Sequence, residues 1–173
     1  MKKSVAVGLV IFLSGCTLWR FGGVEANTNI TGSVESRCSI NTDTAGYYGN
    51  PSAHTLSTTA SDGGQEPIVR VDNSLADAFY VRLGHPTSFS SSPSLADSTA
   101  FSGAVTVVQV SDSGMDGYQN ASTLSNNVRQ YALTVAGSTW FKITSQAVYG
   151  GGQNKPFPSG QYTAVVVAEC IAQ

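Results

Sequence analysis

The sequence predicts an all-β domain built as a sandwich, and three observations carry that prediction. Only 12% of the 173 residues are charged, while Ser, Thr, Gly and Asn are abundant, so the long Glu/Lys/Leu-rich periodic stretches of a helical bundle are missing. Short runs rich in Val, Ile and aromatic residues recur between Gly, Pro, Asn and Asp clusters, at the spacing of sandwich strands. Finally, Gly160 opens a terminal run, Gln161 to Gln173, that contains neither Gly nor Pro and is rich in Val and Ile, the composition of a strand.

The chain begins with a targeting segment. Met1-Lys2-Lys3 is basic and Val5 to Leu13 is apolar, the n-region and h-region of a signal peptide. Val24-Glu25-Ala26 supplies small residues at −3 and −1, so cleavage before Asn27 is expected. The competing reading is a bacterial lipobox, Leu13-Ser14-Gly15-Cys16, with Cys16 lipidated. Leu18, Trp19 and Phe21 follow at once, where lipoprotein tethers are usually polar. The apolar stretch is too short to cross a bilayer. The expected organisation is a signal peptide over 1–26, an N-terminal extension over 27–36 and a β-sandwich domain over 37–173.

Asn27 to Ser36 alternates. Thr28, Ile30, Gly32 and Val34 share one face, and Asn29, Thr31, Ser33 and Glu35 the other, as in an extended segment. A strand is expected over Ser36 to Ile40. Asn41 to Gly64 is turn-rich, with Gly46, Gly49, Asn50-Pro51 and Asp62-Gly63-Gly64, and its Tyr47-Tyr48 and Leu56 are expected to pack over a sheet edge. Strands follow over Pro67 to Asp72, which starts at a permitted proline, and Phe79 to Leu83. Gly84 to Ser102 is Ser- and Pro-rich and reads as a surface loop. Ala104 to Val110 is a strand, Ser111 to Gly117 a turn pivoting on Asp116-Gly117, and Tyr118 to Asn127 a polar loop or short helical turn. Val128 to Val135 and Thr139 to Ala147 are the next strands, and a Gly/Pro loop precedes the terminal one. About seven strands with no helix make an immunoglobulin-like β-sandwich the expected architecture.

The terminal run is unusual. Tyr162, Ala164, Val166, Ala168 and Cys170 share one face, and Thr163, Val165, Val167, Glu169 and Ile171 the other. Both faces are largely apolar, which predicts a strand covered on both sides and one wall of a groove that something else fills. Of the three cysteines, Cys16 is removed or lipidated, leaving Cys38 and Cys170. In an exported chain these are expected to form a disulfide; the alternative is two free buried thiols.

Several function classes are disfavoured. A net charge of −2 gives no electrostatic case for nucleic acid. His54 and His85 both read as surface loop histidines, and no Gly-x-Ser-x-Gly elbow is present, so no enzyme is expected and a secreted hydrolase is the weakest reading. No His/Cys cluster has zinc spacing, and no cofactor is called for. Asp112 to Asp116-Gly117 echoes a calcium loop, but Thr123 stands where the bidentate Glu is required, so a plain turn is expected. Asn29-Ile30-Thr31 and Asn120-Ala121-Ser122 match glycosylation sequons by pattern alone. Trp140 and Phe141 face opposite sides of one strand, one of them towards the core.

The two ends together resemble a chaperone–usher fimbrial subunit, a pilin. Asn29-Ile-Thr-Gly-Ser-Val-Glu-Ser-Arg-Cys-Ser-Ile40 is similar to the start of mature pilins, and Gly160-Gln-Tyr-Thr-Ala-Val-Val-Val167 resembles the pilin Gly-x-Tyr strand. The resemblance implies an incomplete sandwich lacking its last strand. Its groove is filled first by a periplasmic chaperone and then by the N-terminal extension of the next subunit, a strand addition. It assigns Ile30, Gly32 and Val34 to the donor strand and Tyr162, Ala164, Val166 and Ala168 to the acceptor groove. The implied partners are other pilin subunits in a head-to-tail polymer, a periplasmic chaperone, an outer-membrane usher and a host receptor. The implied location is the periplasm and then the cell surface, with cell adhesion as the role. The chain differs from the family pattern at Ala172, where many pilins carry an aromatic, and in having Cys170 as the only partner for Cys38. The alternative reading is a lipid-anchored surface β-sandwich binding module held at Cys16.

Overall fold

In the computed structural model, residues 31–114, 121–150 and 155–173 are described. The chain divides into two units, Met1–Ser33 and Val34–Gln173. Of the first, only Thr31 to Ser33 is described, without regular structure and exposed. The second is an all-β sandwich of two antiparallel sheets. The signal-peptide and lipobox readings, including Cys16, lie outside the described residues, as does Ile30.

The larger sheet is organised on β9 (Gly137–Tyr149), which alternates along its length. Thr139, Phe141, Ile143, Ser145, Ala147 and Tyr149 are buried, so Phe141 faces the core and Trp140 lies on the other face, half-buried. One edge of β9 pairs with β4 (Ile68–Asn73) and then β3 (Thr55–Ser57). The other edge carries the long β6 (Thr99–Val110). Outside β4 lies β1 (Cys38–Thr44), and outside β3 lies β2 (Gly49–Ser52). The outer face of this sheet is polar. Asp72 accepts from Asn41 at 3.1 Å, from Arg70 at 3.2 Å and from Ser138 at 2.6 Å, which gives the wet face of an antiparallel sheet.

The smaller sheet runs β10 (Val167–Ala172), β5 (Phe79–Gly84), β8 (Val128–Ala132), β7 (Ser122–Ser125). Its Val81, Leu83 and Tyr131, with Leu133 just beyond β8, meet Val69, Val71, Phe141 and Ile143 of the first sheet in one core cluster. Tyr131 stacks obliquely on Phe141 with centroids 4.8 Å apart, and its hydroxyl donates to the Val105 carbonyl at 3.3 Å. The buried Asn73 ties the two layers by donating to the Leu133 and Val135 carbonyls, both at 3.3 Å. The turn between β4 and β5 uses Asp77 at φ 57°, a left-handed conformation that Asp tolerates.

The strand count exceeds the seven expected. β2 and β3 lie inside the segment read as turns, and β7 inside the one read as loop or helical turn. β6 starts at Thr99, several residues into the stretch read as loop. A 3₁₀ turn spans Ala60–Asp62. Pro51 fits in β2 because that strand is an edge and needs no donor on its outer side. Gly103 sits in β6 because an added Cβ would collide with the Thr144 carbonyl and the His85 side chain.

Candidate functional site

The feature that stands out is the seam where an edge of one sheet meets an edge of the other. β1 is the outermost strand of the larger sheet, and β10 of the smaller. Cys38 of β1 and Cys170 of β10 are joined by a disulfide, with Cα atoms 6.2 Å apart, inside the range such a bond needs. β1 and β10 do not pair, and among the described residues no strand covers the far side of either.

The main-chain pattern decides what the seam offers. Ser74 N–H donates to the Arg37 carbonyl at 2.9 Å, so Arg37, Ser39 and Asn41 turn their main-chain groups to β4. In an antiparallel ladder the intervening residues turn theirs away, which leaves Cys38, Ile40 and Thr42 facing the seam. Likewise Gln173 N–H donates to the Ala78 carbonyl at 2.9 Å. The odd-numbered residues of β10 therefore address β5, and Ala168, Cys170 and Ala172 address the seam. Two open ladders face one another, each with donors and acceptors that lack a strand partner.

Beneath these ladders the core is only partly covered. Cys38, Ile40, Phe79, Val166, Ala168 and Cys170 pack against the core cluster yet are half-buried. Val81 and Leu83, further along β5, are fully buried. Apolar burial contributes about 25 cal/mol per Å², so an added strand with inward apolar side chains would gain from this seam.

The terminal run is shorter as a strand than its sequence suggests. Regular pairing with β5 starts only at Val167, opposite Gly84. Above that point His85 continues the ladder to the β8 side, its N–H donating to the Asn127 carbonyl at 3.1 Å, and Pro86, the next residue on the β10 side, has no N–H to offer. The run is held again at Thr163, which exchanges main-chain bonds with Ser91 of 2.8 and 3.2 Å. Nor is it covered on both sides. Tyr162, Ala164, Val166, Ala168 and Cys170 are half-buried, while Thr163, Val165, Val167 and Glu169 between them face solvent, with Val165 and Val167 57% and 58% exposed.

Among the groove residues read from sequence, Ala164, Val166 and Ala168 lie together on the inward face of this run. Tyr162 sits above them in an aromatic cap. Its ring lies 5.0 Å from both Phe89 and Phe157, and its hydroxyl donates to the Pro158 carbonyl at 2.6 Å. Phe89 also meets Phe101 at 4.8 Å, so the long 85–98 loop is clasped onto the end of the sandwich. Desolvation, with a smaller contribution from Tyr149, pushes the Tyr162 phenol above its ordinary value. Of the donor residues read from sequence, Gly32 and Val34 are exposed, Val34 at 80%. Residues 31–37 form no strand. Glu35 and Arg37 are held through Ser74, whose hydroxyl accepts from Arg37 N–H at 2.7 Å and donates to the Glu35 carbonyl at 3.2 Å.

The outer face of the smaller sheet carries a cavity of about 610 Å³. Val165, Val167 and Leu124 line it with Arg82, Asn127 and His85. His85 is a correction to the sequence reading, since it is buried rather than on a surface loop. Its ring Nδ1 lies 2.9 Å from the Pro86 carbonyl, and it fills the space that Gly103 leaves. His54 is half-buried in the turn between β2 and β3. No metal-binding group of three His, Cys, Asp or Glu side chains occurs among the described residues. Asp112 makes a local turn, accepting from Gly114 N–H at 2.7 Å; Asp116 and Asn120 lie outside the described residues.

Sequence reasoning missed Ile40, Thr42 and Phe79 as parts of the seam. The alternation of residues 38–42 held the signal for the first two, but only sheet order reveals that β1 and β10 are edges on the same side. The fold and this site together define an all-β sandwich with one open seam between cross-linked edge strands. No family model, curated protein or solved structure matches the chain.

Proposed function

We propose that this protein is a structural subunit of a bacterial surface fimbria, an immunoglobulin-like sandwich lacking its last strand. It is exported to the periplasm, held there by a chaperone, passed to an outer-membrane usher and polymerised by donor-strand exchange. The observation that carries the reading is the open seam. Two edge strands, tied through Cys38 and Cys170, turn unpaired main-chain groups towards one another over half-buried Ile40, Val166 and Ala168. A strand donated by another copy satisfies both ladders and covers those side chains.

The N-terminal extension supplies such a strand. Ile30, Gly32 and Val34 fall on one face by sequence, and Val34 is left exposed by its own domain. Because donor and acceptor surfaces differ, the contact is heterologous and builds an open filament. Adhesion to a host surface is the role such a fibre serves.

The test is complementation in trans. A synthetic peptide of residues 27–36 in excess over the full chain should raise the unfolding midpoint in proportion to the logarithm of its concentration. The same peptide carrying Ile30→Asp and Val34→Asp should leave the midpoint unchanged. Equal effects of both peptides, or none from either, would count against the reading.

The cavity on the outer face favours a second reading, a surface β-sandwich binding module anchored through Cys16. Intact mass of the exported chain separates the two. A chain beginning at Asn27 removes the anchor, and a diacylglyceryl adduct on Cys16 supports it.

A further inference from the structure

The seam is not open along its whole length. A strand hydrogen-bonded to both β1 and β10 needs two inter-strand spacings between them, about 9.5 Å. At Cys38 and Cys170 the Cα atoms are 6.2 Å apart, so no third strand passes between the edges there. At the other end the run leading into β10 enters the aromatic cap at Tyr162, whose ring is wedged between Phe89 and Phe157. Thr163 is bound to Ser91, on the β5 side if the alternation of β10 continues. Between these closures lie Ala164 to Ala168 on one wall and Ile40 and Thr42 on the other.

We infer that the Cys38–Cys170 disulfide is a length stop, which with the aromatic cap turns the seam into a slot for a five-residue strand with three inward side chains. This rests on the strand-acceptor reading above and names its occupant more closely: residues Ile30 to Val34 of a second copy. Five extended residues span about 17 Å, the length of the wall from Ala164 to Ala168. The alternation gives three inward positions on each side, Ile30, Gly32 and Val34 against Ala164, Val166 and Ala168. A stop of this kind also sets register. A one-residue slip turns every donor side chain to the wrong face, and a slot closed at both ends leaves the donor no room to slide by two.

Nested peptides test the stop. End-blocked peptides covering residues 30–34, 28–36 and 27–40 are titrated into the disulfide-bonded full chain and into a Cys38→Ala/Cys170→Ala chain. For the bonded chain, affinity should change less than about 3-fold from the five-residue peptide to the longest one. For the variant, it should rise more than 10-fold over the same series. A steady rise in the bonded chain, matching that of the variant, overturns the stop and leaves the acceptor reading standing. No binding by any peptide to the bonded chain overturns both.

Because the variant is less stable, a second readout uses the bonded chain alone. With the 28–36 peptide bound, the amides of Ala164, Val166 and Ala168 should exchange at least 10-fold more slowly, and those of Cys170 and Ala172 should not change. Protection extending through Ala172 would overturn the stop.

Discussion

Removing the cross-link between the two sheet edges should cost this domain a large part of its stability. The bond joins residues 132 positions apart in sequence, so it closes nearly the whole sandwich into one loop. In the chain-entropy treatment, a loop of that length restricts the unfolded ensemble by about 5 kcal/mol at 25 °C. That is between three and four decades in the unfolding equilibrium. With a urea slope of about 2 kcal/mol per molar for a domain of this size, the midpoint should fall by roughly 2–3 M. The assay is urea denaturation of the oxidised chain beside the Cys38→Ala/Cys170→Ala chain, followed by far-ultraviolet circular dichroism at pH 7. The slope should be somewhat steeper for the variant, because its unfolded chain, free of the cross-link, exposes more surface. A loss below about 1 kcal/mol would refute the reasoning. It would mean that β1 and β10 stay together through packing alone or that the unfolded chain is already compact.

Three other outcomes follow from the same geometry. Phe141, fully buried at the centre of β9, should cost about 3–5 kcal/mol when changed to Ala, read as a fall in the urea midpoint. Ala168→Asp places a carboxylate on the core-facing side of β10 and should cost about 2–4 kcal/mol, whereas Val167→Asp on the exposed side should stay within about 0.5 kcal/mol; equal costs would show that the strand faces the other way. Burial pushes the phenols of Tyr48 and Tyr131 above the ordinary tyrosine value, against smaller lowering effects of Ser145 and Arg129. The unfolded chain therefore ionises first, and stability should fall as pH rises above about 10, with Tyr48→Phe/Tyr131→Phe flattening that decline in urea midpoints measured from pH 8 to 11.

The long strands were legible in the sequence and the short ones were not. β9 announced itself because Thr139 to Ala147 runs without Gly or Pro between the break at Gly137 and the loop at Gly150, and β4 because Ile68-Val69-Arg70-Val71 follows a proline that can open a strand. β2 and β3 were hidden by Gly49, Pro51 and their brevity, and β7 by the polar Ser-Thr-Leu-Ser. Each is fixed by the strand beside it rather than by its own composition. β6 starts early because Gly103, a breaker by local rules, is needed to make room for His85. That same contact buries a histidine whose polar and small neighbours in sequence pointed to the surface.

The pairing of Cys38 with Cys170 followed from counting cysteines in a chain read as exported, and the inward face of Ala164, Val166 and Ala168 from period-2 alternation alone. The extent of β10 did not, because it depends on where β5 stops, at Gly84 ahead of Pro86. The aromatic cap around Phe89 brings together residues from positions 48 to 162 and has no local sequence signature.

The most direct measurement is the assembly state of a chain lacking residues 27–34, expressed with residues 1–26 intact. Donor-strand exchange predicts that it forms no ladder of detergent-resistant polymers, yet still accepts the 27–36 peptide through its intact seam with a raised unfolding midpoint. Polymers that persist without residues 27–34 would contradict it.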